Sequence, residues 1–204
     1  MKRYILILVT LMVSQCLMMS PADAVGFGYF FVVGTGTSDW EDEDATCEQD
    51  YTAEHSGFGF VLDTTVARNS LFNYQLTLGF ENIEYDHDSY YKDWPNGVKL
   101  EGITMGHNFG FGVIRTPNLR IWIGPEIRMS HFEEHGNSDF DMVGFGMGPT
   151  MGFNINLGPV FTMAIKTGFI FTEYGSDSDE MVDDEALFFI NGALLFRVRD
   201  TFHS

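Results

Sequence analysis

Cysteine is nearly absent from this sequence. The chain of 204 residues contains two, Cys16 and Cys47. Cys16 lies inside an amino-terminal segment that we expect to be removed, so Cys47 is left without a partner in its own chain. A single cysteine cannot form an internal disulfide bond, which excludes the disulfide-rich scaffolds common among small exported domains.

Basic residues are also scarce. The chain has 11 lysines and arginines against 29 aspartates and glutamates, which gives a formal net charge of −18. Nucleic-acid binding depends on many cationic contacts to phosphates, so this balance argues against a nucleic-acid partner.

Long apolar runs are missing everywhere except at the start. Lys2 and Arg3 precede the run YILILVTLMVSQCLMM, and Ala22 and Ala24 then occupy the small-residue positions of a cleavage site. This arrangement predicts a secretory signal peptide at residues 1–24, with a membrane anchor as the alternative. The remaining residues, 25–204, have the length of one domain.

The rest of the chain alternates between apolar and small or polar residues. In the segment 71–83 one parity carries Phe72, Tyr74, Leu76, Leu78 and Phe80, and the other carries Asn73, Gln75, Thr77, Gly79 and Glu81. Successive residues of a strand face opposite sides, so this pattern predicts β-structure. The predicted strands are 25–37, 56–66, 70–83, 99–114, 118–131, 140–155, 159–173 and 186–199.

The composition of the two faces indicates which one meets lipid. The polar parity is rich in Gly, Ser, Thr and Asn rather than in the Lys and Glu of a water-exposed surface, and the apolar parity is long enough to cross a bilayer. The fold predicted is all-β, an eight-stranded antiparallel transmembrane up-and-down β-barrel. A soluble β-sandwich or lipocalin-like barrel is the alternative.

Acidic residues concentrate in the longer predicted connections, 38–55, 84–98, 132–139 and 174–185. The first of these is SDWEDEDATCEQDYTAEH. Short connections alternate with them, as in barrels that have tight periplasmic turns and long extracellular loops. The prediction is therefore an outer-membrane location with acidic loops outside and both termini in the periplasm.

With this architecture the chain resembles the small eight-stranded outer-membrane barrels of Gram-negative bacteria, of the OmpX-like, OmpA-barrel-like and OmpW-like kinds. The resemblance covers the mature chain and rests on strands such as YQLTLGF and GFGMGPTMGFNIN, without a diagnostic motif. The chain departs from the family habit of ending on an aromatic residue, because His203 and Ser204 follow Phe202. The resemblance implies a non-enzymatic structural or surface-interaction role, a narrow channel for small solutes, or a lipid A-modifying enzyme, in that order.

Ionisable residues on the inner parity predict a polar network in the lumen. Ionised groups in so narrow a space need partners, so a structural network of salt bridges is favoured over a gate or a polar path. The residues assigned to this network are Glu81, Arg120, Glu126, Arg128, Lys166 and Arg197.

No cofactor is predicted, but the acidic loops offer oxygen ligands for weakly bound Ca²⁺ or Mg²⁺ that would bridge to lipopolysaccharide phosphates. A partner of unspecified kind at the cell surface is the other expectation for these loops. The candidate cation ligands are Asp39, Glu41, Asp42, Glu43, Asp44, Asp177, Asp179, Asp183 and Asp184.

The segment HFEEH, residues 131–135, matches an inverted zinc-protease pattern by letter only. That chemistry needs both histidines one helical turn apart, whereas residues four apart in a strand are about 13 Å apart. Ser130 and His131 also suggest a lipase pair, but neighbours in a strand point to opposite faces, so only a serine from elsewhere, such as Ser138, would reach His131. We therefore predict no catalytic residues.

Overall fold

The computed structural model describes residues 24–42, 49–64, 71–86, 98–116, 118–134, 137–176 and 181–199. The structure is all-β. Its strands are β1 (Ala24–Asp42), β2 (Gln49–Asp63), β3 (Phe72–Asp86), β4 (Val98–Arg115), β5 (Leu119–Glu134), β6 (Asn137–Leu157), β7 (Phe161–Ser176) and β8 (Met181–Arg199).

Every strand pairs with its neighbours in sequence, and β1 also pairs with β8, so the sheet closes on itself. All pairs are antiparallel, and Ala24 lies opposite Arg199 where the barrel closes. The predicted eight-stranded up-and-down barrel is confirmed. Closure satisfies the backbone hydrogen bonds within the wall and leaves no sheet edge.

The two ends of the barrel differ. At one end, which we call the turn end, lie the start of β1, the end of β8 and the connections β2–β3, β4–β5 and β6–β7. The β6–β7 turn contains Gly158 with a φ of 87°, a left-handed conformation that glycine adopts without steric cost. The other end, the acidic end, carries the remaining connections.

The strands extend farther toward the acidic end than the sequence predicts. The expected loop 38–55 is reduced to residues 43–48, because β1 and β2 remain paired up to Trp40 and Gln49. Likewise β1 and β8 pair up to Asp42 and Met181. The acidic residues of these segments therefore continue the barrel wall, and the predicted strand limits were wrong at this end.

The outer face carries a continuous apolar band. On β1 it comprises Phe27, Tyr29, Phe31 and Val33, of which Phe31 is 69% exposed. On β2 the band is Phe58 and Phe60, and toward the acidic end Ser56, Glu54 and Thr52 follow on the same face. The same change from apolar to polar occurs on the other strands, so the wall extends beyond the band at the acidic end.

Two prolines face each other in the wall, Pro125 on β5 and Pro149 on β6. On the other side of each strand the ladder is interrupted: the β4–β5 pairing skips Phe109 and Gly110, and the β6–β7 pairing skips Gly148 and Pro149. Proline lacks the N–H that a ladder needs, which accounts for interruptions on both flanks of this strand pair.

Candidate functional site

The lumen is filled by large side chains that lie over glycines of neighbouring strands. A Cβ atom at Gly152 would overlap the ring of Trp122, and one at Gly110 would lie 2.9 Å from the same ring. Gly144 makes room for Tyr174 in the same way, at 2.5 Å. The inner-parity glycines thus serve as spaces for bulky neighbours.

Four of the predicted lumen residues form a chain of ion pairs at mid-height. Lys166 Nζ lies 2.7 Å from Glu126 Oε2, and Arg128 Nη2 lies 3.4 Å from Glu126 Oε1. Arg128 Nη1 continues the chain to Glu81 Oε1 at 3.7 Å. Buried carboxylates are stable only beside cations and hydrogen-bond donors, and here each of the two glutamates has them.

The series of ion pairs continues through His55, a histidine that the sequence analysis did not assign to the lumen. His55 Nδ1 lies 2.9 Å from Glu81 Oε1, and His55 Nε2 lies 2.8 Å from Glu185 Oε1. Both His55 and Glu185 are buried. The network therefore links β7, β5, β3, β2 and β8 through six side chains.

Phe189 supports the two permanent cations of this network. The Arg128 guanidinium lies 4.8 Å and the Lys166 ammonium 5.6 Å from the centre of its ring. Phe189 is itself fully buried, so these cation–π contacts form in a dry environment, where they are stronger than at a surface.

The other two residues predicted for the lumen network, Arg120 and Arg197, are not part of this series of ion pairs. Arg120 is buried near the turn end, where Asp63 is its opposite charge. Asp63 also accepts a hydrogen bond from Asn154 Nδ2 at 3.4 Å, directly across the lumen from β6 to β2. Arg197 donates to the carbonyl oxygens of Gly158 and Phe161 and so holds the β6–β7 turn.

An apolar cluster fills the lumen at the acidic end. It draws side chains from β2 to β7 and includes a contact between Phe132 and Tyr174, whose ring centres are 6.1 Å apart. This interior is more apolar than the sequence predicts. The members are Tyr51, Ala53, Ile83, Tyr85, Leu100, Phe132, Met142 and Tyr174.

The outer wall at this level forms an acidic collar. Pairs of like charges lie directly opposite each other in the ladder, a destabilising arrangement. One compensating pair is Lys99 Nζ with Glu84 Oε1, at 2.9 Å and well exposed. The like-charge pairs are Glu54–Glu84, Glu101–Glu133, Glu133–Asp141 and Glu173–Asp184.

The candidate cation ligands are only partly described. Asp39 and Asp184 lie opposite each other on β1 and β8. For Glu41, Asp42 and Asp183 the structure describes the backbone only, and Glu43, Asp44, Asp177 and Asp179 lie outside the described residues. Within the described part of the chain, no three His, Cys, Asp or Glu side chains come together as a metal site.

The residues considered for catalysis separate as strand geometry requires. Ser130 is buried in the lumen, whereas His131 points outward and lies 3.6 Å from Glu133. His135 lies outside the described residues, and for Ser138 only the backbone is described. His107, on the outward parity, accepts or donates one hydrogen bond with the Tyr74 hydroxyl at 2.7 Å and is covered by its neighbours.

Neither a protein-family model nor a curated protein matches this sequence. Solved structures do match its fold. The outer membrane protein OprG from Pseudomonas aeruginosa superposes with a TM-score of 0.59 at 12% identity, covering 88% of this chain and 98% of that one. The outer membrane protein AlkL, solved in lipid bilayers, superposes with a TM-score of 0.54 at 9% identity, covering 90% and 93%. At such identities the likeness concerns the fold alone. Within the described residues no helix is long and apolar enough to cross a membrane.

Proposed function

We propose that the protein is an outer-membrane β-barrel with a lumen closed by its own side chains, and that it serves a structural or surface-interaction role through its acidic end. The observation that carries this proposal is the inversion of the usual burial pattern. Large apolar side chains cover the outside of the barrel, while the ionised groups Glu81, Glu126 and Lys166 are buried inside.

This pattern suits a wall that faces lipid. A soluble barrel that exposed so extensive an apolar surface would aggregate, whereas membrane barrels require an outward apolar band about 25 Å tall. The two similar structures are outer-membrane proteins by name, which agrees with the same location for this chain.

We assign the acidic end to the outside of the cell and the turn end to the periplasm. Outer-membrane barrels have their longer segments beyond the bilayer on the external side, and here the wall extends beyond the apolar band at the acidic end. Cys47, between β1 and β2, offers a test of orientation. An impermeant maleimide should label Cys47 on intact cells, and labelling only after lysis would contradict the assignment.

The contacts across the lumen favour a closed barrel over a channel. The ion-pair chain, the Asp63–Asn154 contact and the apolar cluster occupy successive levels between the two ends. A narrow channel for small solutes remains the second candidate, and it requires that these contacts separate. Conduction across a bilayer distinguishes the two.

A lipid A-modifying activity is the third candidate, and the described geometry gives it little support. Ser130 and His131 lie on opposite faces of β5, so they cannot form a nucleophile and base pair. Unchanged lipid A masses on expression are the expected result, and a reproducible mass shift that depends on the protein would reverse this conclusion.

The acidic collar lies next to the apolar band, at the level of lipid headgroups. Opposed carboxylates such as Glu101 and Glu133 attract divalent cations, which in turn bridge to lipopolysaccharide phosphates. We therefore infer lipopolysaccharide as the lipid partner, with Ca²⁺ or Mg²⁺ bound weakly between. Chelation should lower the thermal stability of the protein in lipopolysaccharide-containing vesicles and leave it unchanged in neutral detergent.

Membrane fractionation tests the proposal as a whole. The protein should be found in the outer-membrane fraction and should migrate differently on gels with and without heating, as a folded barrel does. Recovery from the periplasm without detergent would contradict it.

A further inference from the structure

His55 connects two strands that do not pair with each other. It lies on β2, and its carboxylate partner Glu185 lies on β8; β1 runs between them. The two side chains can meet over β1 because β1 has glycines at this level. Gly34 pairs with His55, and a Cβ at Gly36 would lie 3.1 Å from Glu185 Oε1.

This contact lies on the acidic side of the apolar band. The outward neighbours of His55 on its own strand are Glu54 and Ser56, both exposed. The neighbours of Glu185 are Asp184 and Ala186, also exposed. The imidazole is therefore at the level of the collar, beside the apolar cluster, whose member Ile83 lies opposite His55 in the ladder.

The contacts of the ring define its protonation. Nδ1 makes a hydrogen bond with Glu81 at 2.9 Å, and Nε2 faces Glu185 Oε1 at 2.8 Å. Carboxylates only accept hydrogen bonds, and a neutral imidazole carries a single N–H, so one nitrogen lone pair would face a carboxylate oxygen. The geometry fits an imidazolium with a proton on both nitrogens.

The charges of the network balance only in that state. Glu81, Glu126 and Glu185 contribute three negative charges, and Lys166, Arg128 and protonated His55 contribute three positive charges. The contact of His55 Nε2 with Glu185 Oε1 is an ion pair without hydrogen-bond geometry, and neither buried oxygen of Glu185 has a hydrogen-bond partner among the described residues, so Glu185 depends on the charge of His55 most strongly. Loss of the His55 proton would leave an uncompensated buried carboxylate.

We propose that His55 is a proton-operated latch that joins β2 to β8 across β1 at the acidic end of the lumen. Protonated, it holds Glu81 and Glu185 together and closes this level of the lumen. When the pH rises and the proton is lost, the imidazole and Glu185 separate and the acidic end loosens.

The surroundings of His55 set the direction of this response. The charged groups that face it are Glu81 on β3 and Glu185 on β8, with Arg128 on β5 beyond Glu81. The Tyr174 hydroxyl on β7 interacts electrostatically with Arg128, and β1 presents Gly34, Gly36 and the uncharged Ser38, which lies opposite Glu185. Because both direct neighbours are carboxylates, the folded barrel retains the proton to a higher pH than the unfolded chain, whose histidine titrates at about 6.5.

The ring nitrogens of His55 report the latch directly. In protein labelled with ¹⁵N-histidine and held in detergent micelles, the signal of His55 is the one that disappears in His55→Gln. We expect both of its nitrogens to remain protonated well above pH 6.5, with a lower titration midpoint in Glu185→Gln. A His55 midpoint at or below about 6.5, or one that Glu185→Gln leaves unchanged, overturns the proposal.

The loosening is measured by denaturant unfolding between pH 6 and pH 9. The wild type should lose stability relative to Glu185→Gln as pH rises from about 6.5 to the His55 midpoint, because in this range the native state holds a proton that the unfolded chain has released. Parallel curves for the two proteins would contradict a latch. Both measurements use folded protein in detergent, so they succeed or fail independently of membrane location and conduction.

Discussion

Lys166 Nζ lies 2.7 Å from Glu126 Oε2 across the inner face of β6, a strand to which neither residue belongs. On β6, Gly148 lies opposite Glu126 and Gly152 lies opposite Lys166 in the two ladders. Both partners are almost fully buried, so loss of either one should lower the free energy of unfolding strongly.

Removal of the Lys166 ammonium group should lower the free energy of unfolding. Lys166→Met leaves Glu126 buried with one cation fewer, and breaking a buried pair by removing one partner costs about 3–5 kcal/mol. The double variant Lys166→Met with Glu126→Gln should regain part of that loss, because the glutamine still accepts hydrogen bonds without carrying charge. Denaturant unfolding in micelles measures all three proteins.

An exposed pair at the collar provides the control for that prediction. Lys99 and Glu84 are 2.9 Å apart, with side chains more than half exposed at 57% and 52%. Lys99→Met should change the unfolding free energy by only about 0–1 kcal/mol, as is usual for surface ion pairs. Equal losses in Lys99→Met and Lys166→Met would contradict a structural role for the lumen network.

The packing of Trp122 over Gly152 gives a second prediction. Gly152→Val places two methyl groups where the indole ring lies, and overpacking of this kind typically costs about 1–3 kcal/mol. Trp122→Leu in the same background should restore part of the stability. Gly192→Val is the matched control, because nothing lies within 4 Å of a Cβ at that position; comparable damage there would argue against the packing explanation.

The position of the apolar band can be mapped along a single strand. Phe60 and Thr52 both point outward on β2, Phe60 in the band and Thr52 beyond it. Phe60→Arg should destabilise the barrel in vesicles by about 2–4 kcal/mol, and Thr52→Arg by about 0–1 kcal/mol, as expected for the bilayer midplane and its boundary. Equal effects at the two positions would contradict the assignment of Phe60 to the apolar band and of Thr52 to the wall beyond it.

The sequence was sufficient for the strand number and for the two faces. Alternation such as that of Phe72, Tyr74 and Leu76 against Asn73 and Gln75 depends on local geometry alone, and the structure confirms which face is outward. This periodicity can be recognised in a single sequence because the side chains of a strand point alternately to its two faces.

The ends of the strands were not predictable in the same way. Asp and Glu are poor strand formers, so the run 38–55 suggested a loop. Its alternation was nevertheless present: Tyr51, Ala53 and His55 point inward, while Thr52 and Glu54 point outward. That parity was the signal by which His55 could have been assigned to the lumen.

The partners within the lumen also lay beyond the sequence. Parity shows that Arg120, Arg128 and Lys166 face inward but not that Arg128 and Lys166 share Glu126 while Arg120 lies with Asp63. The height of each residue depends on strand register and tilt, which arise from closure of the whole sheet.

Single-channel recording in planar bilayers tests the closed-lumen barrel most directly. Purified protein is inserted, and its folded state is checked by heat-dependent gel mobility in the same preparation. We predict a folded, inserted barrel without stepwise conductance at neutral pH. Stable, reproducible current steps from the wild-type protein at that pH would show an open lumen and contradict the account.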